Sequence, residues 1–247
     1  MISHHILSMK NRFRNLIITG LLIISGSIDA QKNYSTVPAD KFNLNAFNLQ
    51  LPVEKNNSIT IIKGAQIANF SSENFYFSPQ DNSIRFFCTS DGKTTQGSHY
   101  PRTELRQTDE WHFDKQHILQ VKMAVLTQPS TGKIIIGQIH GNSKGTEALK
   151  IWWNNGDLQV GYKKEINDKE QRITLLKNVA LGQIFNYTIQ QSNLEIQVKI
   201  NQKIVTFDLG NSWKSESVYF KAGNYLQDNK QPVTSGMTAV YQISITK

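Results

Sequence analysis

The chain has 247 residues, 27 basic and 19 acidic side chains, a formal net charge of +8 and a single cysteine. One cysteine excludes an internal disulfide and C-x-x-C metal spacing, so stability has to come from a sizeable apolar core. The basic balance favours an anionic partner, and without a basic run or a nucleic-acid motif an acidic polysaccharide fits better than nucleic acid.

The first thirty residues read as a secretory signal peptide. Lys10, Arg12 and Arg14 precede the short apolar run Leu16 to Ile24, and small and polar residues then lead to Ala30. The run is too short to span a bilayer comfortably. Cleavage after Ala30 leaves residues 31–247 as an exported, soluble domain of net charge +6, from 24 basic minus 18 acidic residues. Its localisation is therefore expected to be extracellular or periplasmic, with no membrane partner and a monomeric state.

Further along, Asp40 to Phe47 allows a short helical turn, and Phe47 to Pro52 alternates and ends at proline, which suits a first edge strand. Cys88, beside Phe86 and Phe87, reads as a buried, inert thiol. Ile118 to Leu126 places Leu119, Val121, Met123 and Val125 on one face, with Gln120 and Lys122 opposite. Leu194, Ile196, Val198 and Ile200 alternate likewise, and Asn201-Gln202 predicts a tight turn into Lys203 to Asp208. The last strand is expected to turn Met237, Ala239, Tyr241, Ile243 and Ile245 inward and Thr238, Gln242, Ser244 and Thr246 outward. Many short strands of period two, without a repeat or low-complexity linker, predict an all-β fold in one domain: an antiparallel sandwich or jelly roll.

Three stretches carry candidate chemistry. In Arg102-Thr103-Glu104-Leu105-Arg106, strand alternation puts two guanidiniums and a carboxylate on one face, a poor core but a good floor for a polyanion. In Gln138-Ile139-His140, the amide and imidazole share a face while Ile139 turns inward, which suits carboxyl binding beside proton transfer. In Tyr219 to Gln227, Tyr219, Lys221 and Tyr225 share a face while Phe220 and Ala222 pack inward. Lys150, Trp152 and Asn154 alternate on a further strand, with Trp152 a candidate for stacking on a sugar.

A glycosidase needs two carboxyls across the scissile bond, and Glu104 is the only carboxylate in these stretches. Glu165, Asp168 and Glu170 lack the E-x-D-x-x-E pattern, because position 167 is Asn. No G-x-S-x-G is present, and His99, His112 and His117 have no carboxylate partners at metal spacing. No metal or cofactor is expected. What remains is β-elimination at a uronic acid. Arg and Gln would neutralise the carboxylate next to C5 and stabilise the enolate-like intermediate, each placed donor contributing about 3–4 kcal/mol. Neutral His140 can remove the C5 proton, and Tyr225 can protonate the departing oxygen and for some stereochemistries also serve as the base, given cations that lower its ordinary pKa of about 10.

Together these stretches resemble the alginate lyases of polysaccharide lyase family 7, whose motifs run Arg-Ser/Thr-Glu-Leu-Arg, Gln-Ile/Val-His and Tyr-Phe-Lys-Ala-Gly-x-Tyr-x-Gln in that order. Leu49-Gln50-Leu51-Pro52 and Ser98-His99-Tyr100-Pro101 are also similar to the family. The resemblance covers most of residues 40–247 and implies a β-jelly roll of two antiparallel sheets with a concave groove for alginate. It further implies that Arg102 and Gln138 neutralise the uronate, that His140 and Tyr225 transfer protons, and that Arg106, Lys221 and Gln227 contact substrate while Glu104 orients the arginines. Glu104, Lys150, Trp152, Tyr219 and Asn224 complete the expected substrate-binding set. Ile139 is similar to members that accept guluronate-containing blocks, with endolytic action expected. The competing expectations are a lyase for another polyuronate, such as glucuronan, and a non-catalytic module binding acidic polysaccharide.

Overall fold

The computed structural model describes residues 36–143 and 145–247, all within one compact unit, Tyr34–Lys247. The signal-peptide segment and its cleavage site lie outside the described residues.

In chain order the strands are β1 (Phe47–Lys55), β2 (Ser58–Ile62), β3 (Phe75–Ser78), β4 (Ser83–Thr89), β5 (Arg102–Gln107), β6 (His117–Thr127), β7 (Lys133–Gly141) and β8 (Glu147–Asn154). There follow β9 (Asp157–Tyr162), β10 (Gln171–Leu176), β11 (Phe185–Ser192), β12 (Glu195–Ile200), β13 (Lys203–Asp208), β14 (Val218–Leu226) and β15 (Ser235–Thr246). They form two antiparallel sheets, an eight-stranded one ordered β10-β9-β8-β7-β14-β5-β1-β2 and a seven-stranded one ordered β13-β12-β11-β6-β15-β4-β3. This is the expected jelly roll. Helix is confined to 3₁₀ turns at Pro38–Asp40, Gly64–Asn69 and Asn211–Ser215 among the described residues.

The core lies between the sheets. Leu49, Leu105, Ile139 and Phe220 from the eight-stranded sheet share it with Phe86, Leu119, Val121, Met123 and Val198 from the other. Each such side chain contributes roughly 1.5–3 kcal/mol relative to exposure. Cys88 is fully buried there, and burial pushes its thiol well above the ordinary range. The β12–β13 hairpin turns at Asn201 in the left-handed region (φ 50°), as the sequence predicts.

Two strand readings are corrected. β1 is not an edge: it sits between β5 and β2, and Pro52 falls in an irregularity between Leu51 and Glu54, where its missing N–H is tolerated. On β15, register shifts at Met237/Thr238 and Val240/Gln242 break the alternation, so Thr238 and Val240 are fully buried and Met237 is only partly so.

The two sheets are also stitched by polar side chains reaching backbone groups across the core. Asn224 donates to the carbonyls of Phe86 (3.1 Å) and Gly236 (2.7 Å). Thr103 donates to Phe87 (2.6 Å), and the Tyr187 hydroxyl donates to Ile136 (2.8 Å). These links fix β5, β7 and β14, the central strands of the eight-stranded sheet.

Candidate active site

Those three strands bring the motifs together on the sheet face turned away from the core. Register pairs Lys221 with Arg106, Tyr225 with Arg102 and Gly223 with Glu104 across β14 and β5. Lys221 pairs with Gln138 and Tyr219 with His140 across β14 and β7, and Gln138 pairs with Lys150 on β8. One transverse row therefore reads Asn48, Arg106, Lys221, Gln138, Lys150, Gly161, Arg172 across seven strands. At about 4.8 Å per strand the row spans roughly 29 Å.

The phase of the row depends on two glycines. Gly137 sits at a bulge in β7, where a Cβ would lie 2.7 Å from the Tyr187 hydroxyl, so only glycine lets the chain approach the second sheet and still turn Gln138 and His140 outward. Gly223 takes φ +140°, a conformation L side chains rarely adopt, and a Cβ there would lie 2.8 Å from the Thr103 carbonyl.

Beneath the face is a buried charge cluster. Glu104 is fully buried and accepts from Lys221 Nζ (2.6 Å), Gln138 Nε2 (2.5 Å) and Arg102 (3.4 Å). Burial by itself would raise its carboxyl, but Lys221 and Arg102, with the Lys221 and Gln138 hydrogen bonds, outweigh this and hold it below the ordinary value. Burial and the Arg102 charge push Lys221 down to about 8, against the pull of Glu104. Gln138 keeps one amide hydrogen free, and its Oε1 has no partner. Arg102 Nε is likewise buried and unpartnered.

His140 lies at the edge of this cluster. Its Nδ1 is 2.6 Å from the Gly141 carbonyl, which can only accept, so the proton sits on Nδ1 and Nε2 keeps a bare lone pair. Burial and then Lys221 lower its pKa to about 4, so the imidazole is neutral near pH 7. Tyr219 stacks on the ring at 5.3 Å between centroids, with its hydroxyl 3.2 Å from Nδ1. Burial raises the Tyr219 phenol, which stays protonated. Tyr225 lies on the other side: the Arg102 guanidinium sits 3.7 Å from its ring centroid, and its hydroxyl shares a 2.8 Å hydrogen bond with Ser98. Ser98 also accepts from Arg102 (2.9 Å), and a cavity of about 450 Å³ lined by residues 93–98, Asn57 and Ser58 adjoins it.

A neutral imidazole with a free Nε2, a phenol and a set of cations on one polar face are groups that can remove a proton and return one. The family model described as alginate lyase matches residues 42–247. The chain belongs to the alginate lyase family. It is 22% identical to an alginate lyase of Klebsiella pneumoniae, over 85% of this chain and 91% of that protein. The structure resembles alginate lyase A1-II′ of polysaccharide lyase family 7, with TM-score 0.78 and 29% identity over 85% of this chain and 98% of that one. It also resembles alginate lyase PA1167 of Pseudomonas aeruginosa, with TM-score 0.76 and 27% identity over 82% and 98%.

Within this alginate lyase fold, several expected roles change. Asn224 does not face the substrate side: it is fully buried and pins β14 to the second sheet. Glu104 and Lys221, 0% and 2% exposed, lie below the face and pair with each other, so neither is presented on the surface as expected. Glu104 orients Arg102 but not Arg106, which bonds Glu110 (2.5 Å) and the Gln107 carbonyl (2.9 Å) and covers the Tyr219 ring at 3.7 Å. Trp152 is buried at 8% exposure, and the Arg172 guanidinium lies 3.9 Å from its ring centroid, so Arg172 covers the stacking surface expected for a sugar. Lys150 stays half-buried between Glu147 (3.6 Å) and Glu170 (3.1 Å), and Gln227 is half-buried at the end of β14. Sequence reasoning did not single out Glu110, Glu147 or Arg172, which come from loops and outer strands and carry no local signal. Ser98 was legible only as part of a motif.

Proposed function

We propose that the chain is an exported, monomeric, endolytic alginate lyase that cleaves the 1,4-glycosidic bonds of guluronate-containing alginate by β-elimination. The observation that carries the reading is His140, held neutral with Nε2 unprotonated at the edge of a buried cationic cluster whose Arg102 also covers the Tyr225 ring. Arg102 Nε and the free amide hydrogen of Gln138 would hold the uronate carboxylate, while Lys221 adds positive charge from below. With that charge offset, Nε2 takes the C5 proton and the C5–H pair forms the C4–C5 double bond. The C4–O bond then breaks and the Tyr225 hydroxyl protonates the leaving oxygen. Base and acid each contribute roughly 10²- to 10⁴-fold. The product carries an unsaturated uronate at the new non-reducing end.

The row across seven strands supports binding of several uronate units at once, which favours cleavage within chains. Ile139 supports the guluronate assignment through the family resemblance. Crystal structures of A1-II′, 28% identical to this chain, include complexes with product (GGG) and with substrate (GGMG).

The test is to incubate the protein with alginate, polyguluronate, polymannuronate and glucuronan and follow absorbance of the unsaturated product. Turnover on alginate and polyguluronate is expected, with viscosity falling early. No rise on any substrate refutes the lyase reading, and a rise on glucuronan alone refutes the substrate. Tyr225→Phe should lower turnover at least about 10²-fold while alginate binding persists; retained turnover would mean another group is the acid. N-terminal sequencing of exported protein should begin at Gln31.

A further inference from the structure

Glu147 has no part in the mechanism above, yet its carboxylate is the one nearest the base. It opens β8 as the cross-strand partner of His140 on β7, with Oε1 3.8 Å from Nε2. The hairpin between them is tied down. Gly141 N donates to the Thr146 carbonyl (2.6 Å), and the buried Glu216 accepts from Ser143 N (2.7 Å) and the Thr146 hydroxyl (3.0 Å). Lys150 (3.6 Å) and Lys163 (3.8 Å) flank the Glu147 carboxylate. Burial would raise its carboxyl, but Lys150, His140 and Lys163 outweigh this and keep it ionised.

We propose that Glu147 is the countercharge of the base: once Nε2 takes the substrate proton, the new Nε2–H turns to the Glu147 carboxylate. The proposal rests on the lyase reading and makes Glu147 a positioning residue, acting through His140 rather than on the substrate. In the resting state a bare Nε2 and a carboxylate oxygen are both lone-pair bearers, and 3.8 Å keeps them out of hydrogen-bond range. A protonated Nε2 needs Oε1 to approach by only about 1 Å to form a charge-assisted bond.

No other described group offers this. Among the charged and polar groups around His140, Lys221 on β14 opposes an imidazolium, and Tyr219 stacks on the ring with its hydroxyl at Nδ1 rather than Nε2. The Gly141 carbonyl already takes Nδ1–H, and Lys150 is a donor. Glu104 is occupied by Lys221, Gln138 and Arg102. A carboxylate facing a polyanion also weakens binding, so a role in proton transfer separates kcat from KM. Removing Glu147 takes a carboxylate from Lys163 (3.8 Å) and from Lys150, which keeps Glu170 (3.1 Å), and so makes the face less negative toward a polyanion while leaving the imidazolium opposed by Lys221.

The experiment compares wild type, Glu147→Gln and Glu147→Asp on polyguluronate, with melting temperatures to confirm folding. Glu147→Gln should lower kcat about ten-fold, the size of a one-unit loss of imidazolium stabilisation from a neighbouring opposite charge. KM should fall, and Glu147→Asp should recover part of kcat. By NMR at pH 4 the wild-type imidazole, with its pKa of about 4, should be about half protonated and the Glu147→Gln imidazole about one-tenth. An unchanged kcat and imidazole protonation would overturn the proposal, as would a raised KM at constant kcat, the mark of an ordinary substrate contact. Wild type turning over no polyuronate refutes the lyase reading and the proposal with it. Turnover that is insensitive to Glu147 removes the proposal alone.

Discussion

Replacing Glu104 by glutamine keeps the shape of the buried cluster and removes its negative charge. The carboxylate faces Lys221 at 2.6 Å and Arg102 at 3.4 Å in a position without solvent exposure. With an effective dielectric constant near 20 these contacts give gross attractions of about 6 and about 5 kcal/mol. Much of that offsets the cost of desolvating three ions. What Glu104→Gln exposes is the cost of two buried cations left without a counterion, about 3–5 kcal/mol for breaking a buried pair. In a domain of this size that corresponds to a fall in Tm of about 6–20 °C by scanning calorimetry. Lys221, already pushed down to about 8, would drop further and lose charge near neutral pH, so turnover on alginate should fall at least about 10²-fold. Adding Lys221→Met should recover much of the Tm, because the uncompensated ammonium goes, but not the turnover. A single variant melting within about 2 °C of wild type, or turning over normally, would refute the view that this carboxylate holds the cluster together.

The pH dependence follows from His140. Its folded-state pKa is about 4 against 6.5 unfolded, so the unfolded chain takes the proton first and this group's stabilisation, about 3 kcal/mol, is lost as pH falls from 6.5 to 4. Urea melts across that window should track the loss in wild type but not in His140→Asn, and kcat/KM should rise with pH through about 4 in wild type. On the alkaline side, kcat/KM should decline as Lys221 deprotonates near pH 8, and Lys221→Arg should move the decline upward because arginine keeps its charge. An unmoved decline would assign it to another group. Asn224→Ala should lower stability by about 1–3 kcal/mol by removing two buried hydrogen bonds between the sheets, with KM for alginate unchanged. A raised KM with normal stability would return Asn224 to the substrate side.

Much of the site was legible in the sequence because a strand alternates locally. Two residues of spacing place Arg102 with Glu104, Gln138 with His140 and Tyr219 with Lys221, whatever the strands later pair with. The same rule put Leu119, Val121, Met123 and Val125 into the core and turned the hairpin at Asn201. It failed where alternation is broken by pairing: the bulges of β15 bury Thr238 and Val240. It was also silent on what a buried face needs, so Asn224 read as a substrate contact when it is a bolt between sheets.

By itself, then, the sequence determined the all-β architecture, the family, and the side chains that share the working face, because these depend on period two and on local motifs. Only the tertiary structure decided which partner each charge takes. Arg106 goes to Glu110, Arg172 covers Trp152, Ser98 bridges Arg102 and Tyr225, and Glu147 comes to rest beside His140. Those pairings join residues from separate strands and loops, and the attraction between charges depends on distance in space and burial, neither of which is set by spacing along the chain.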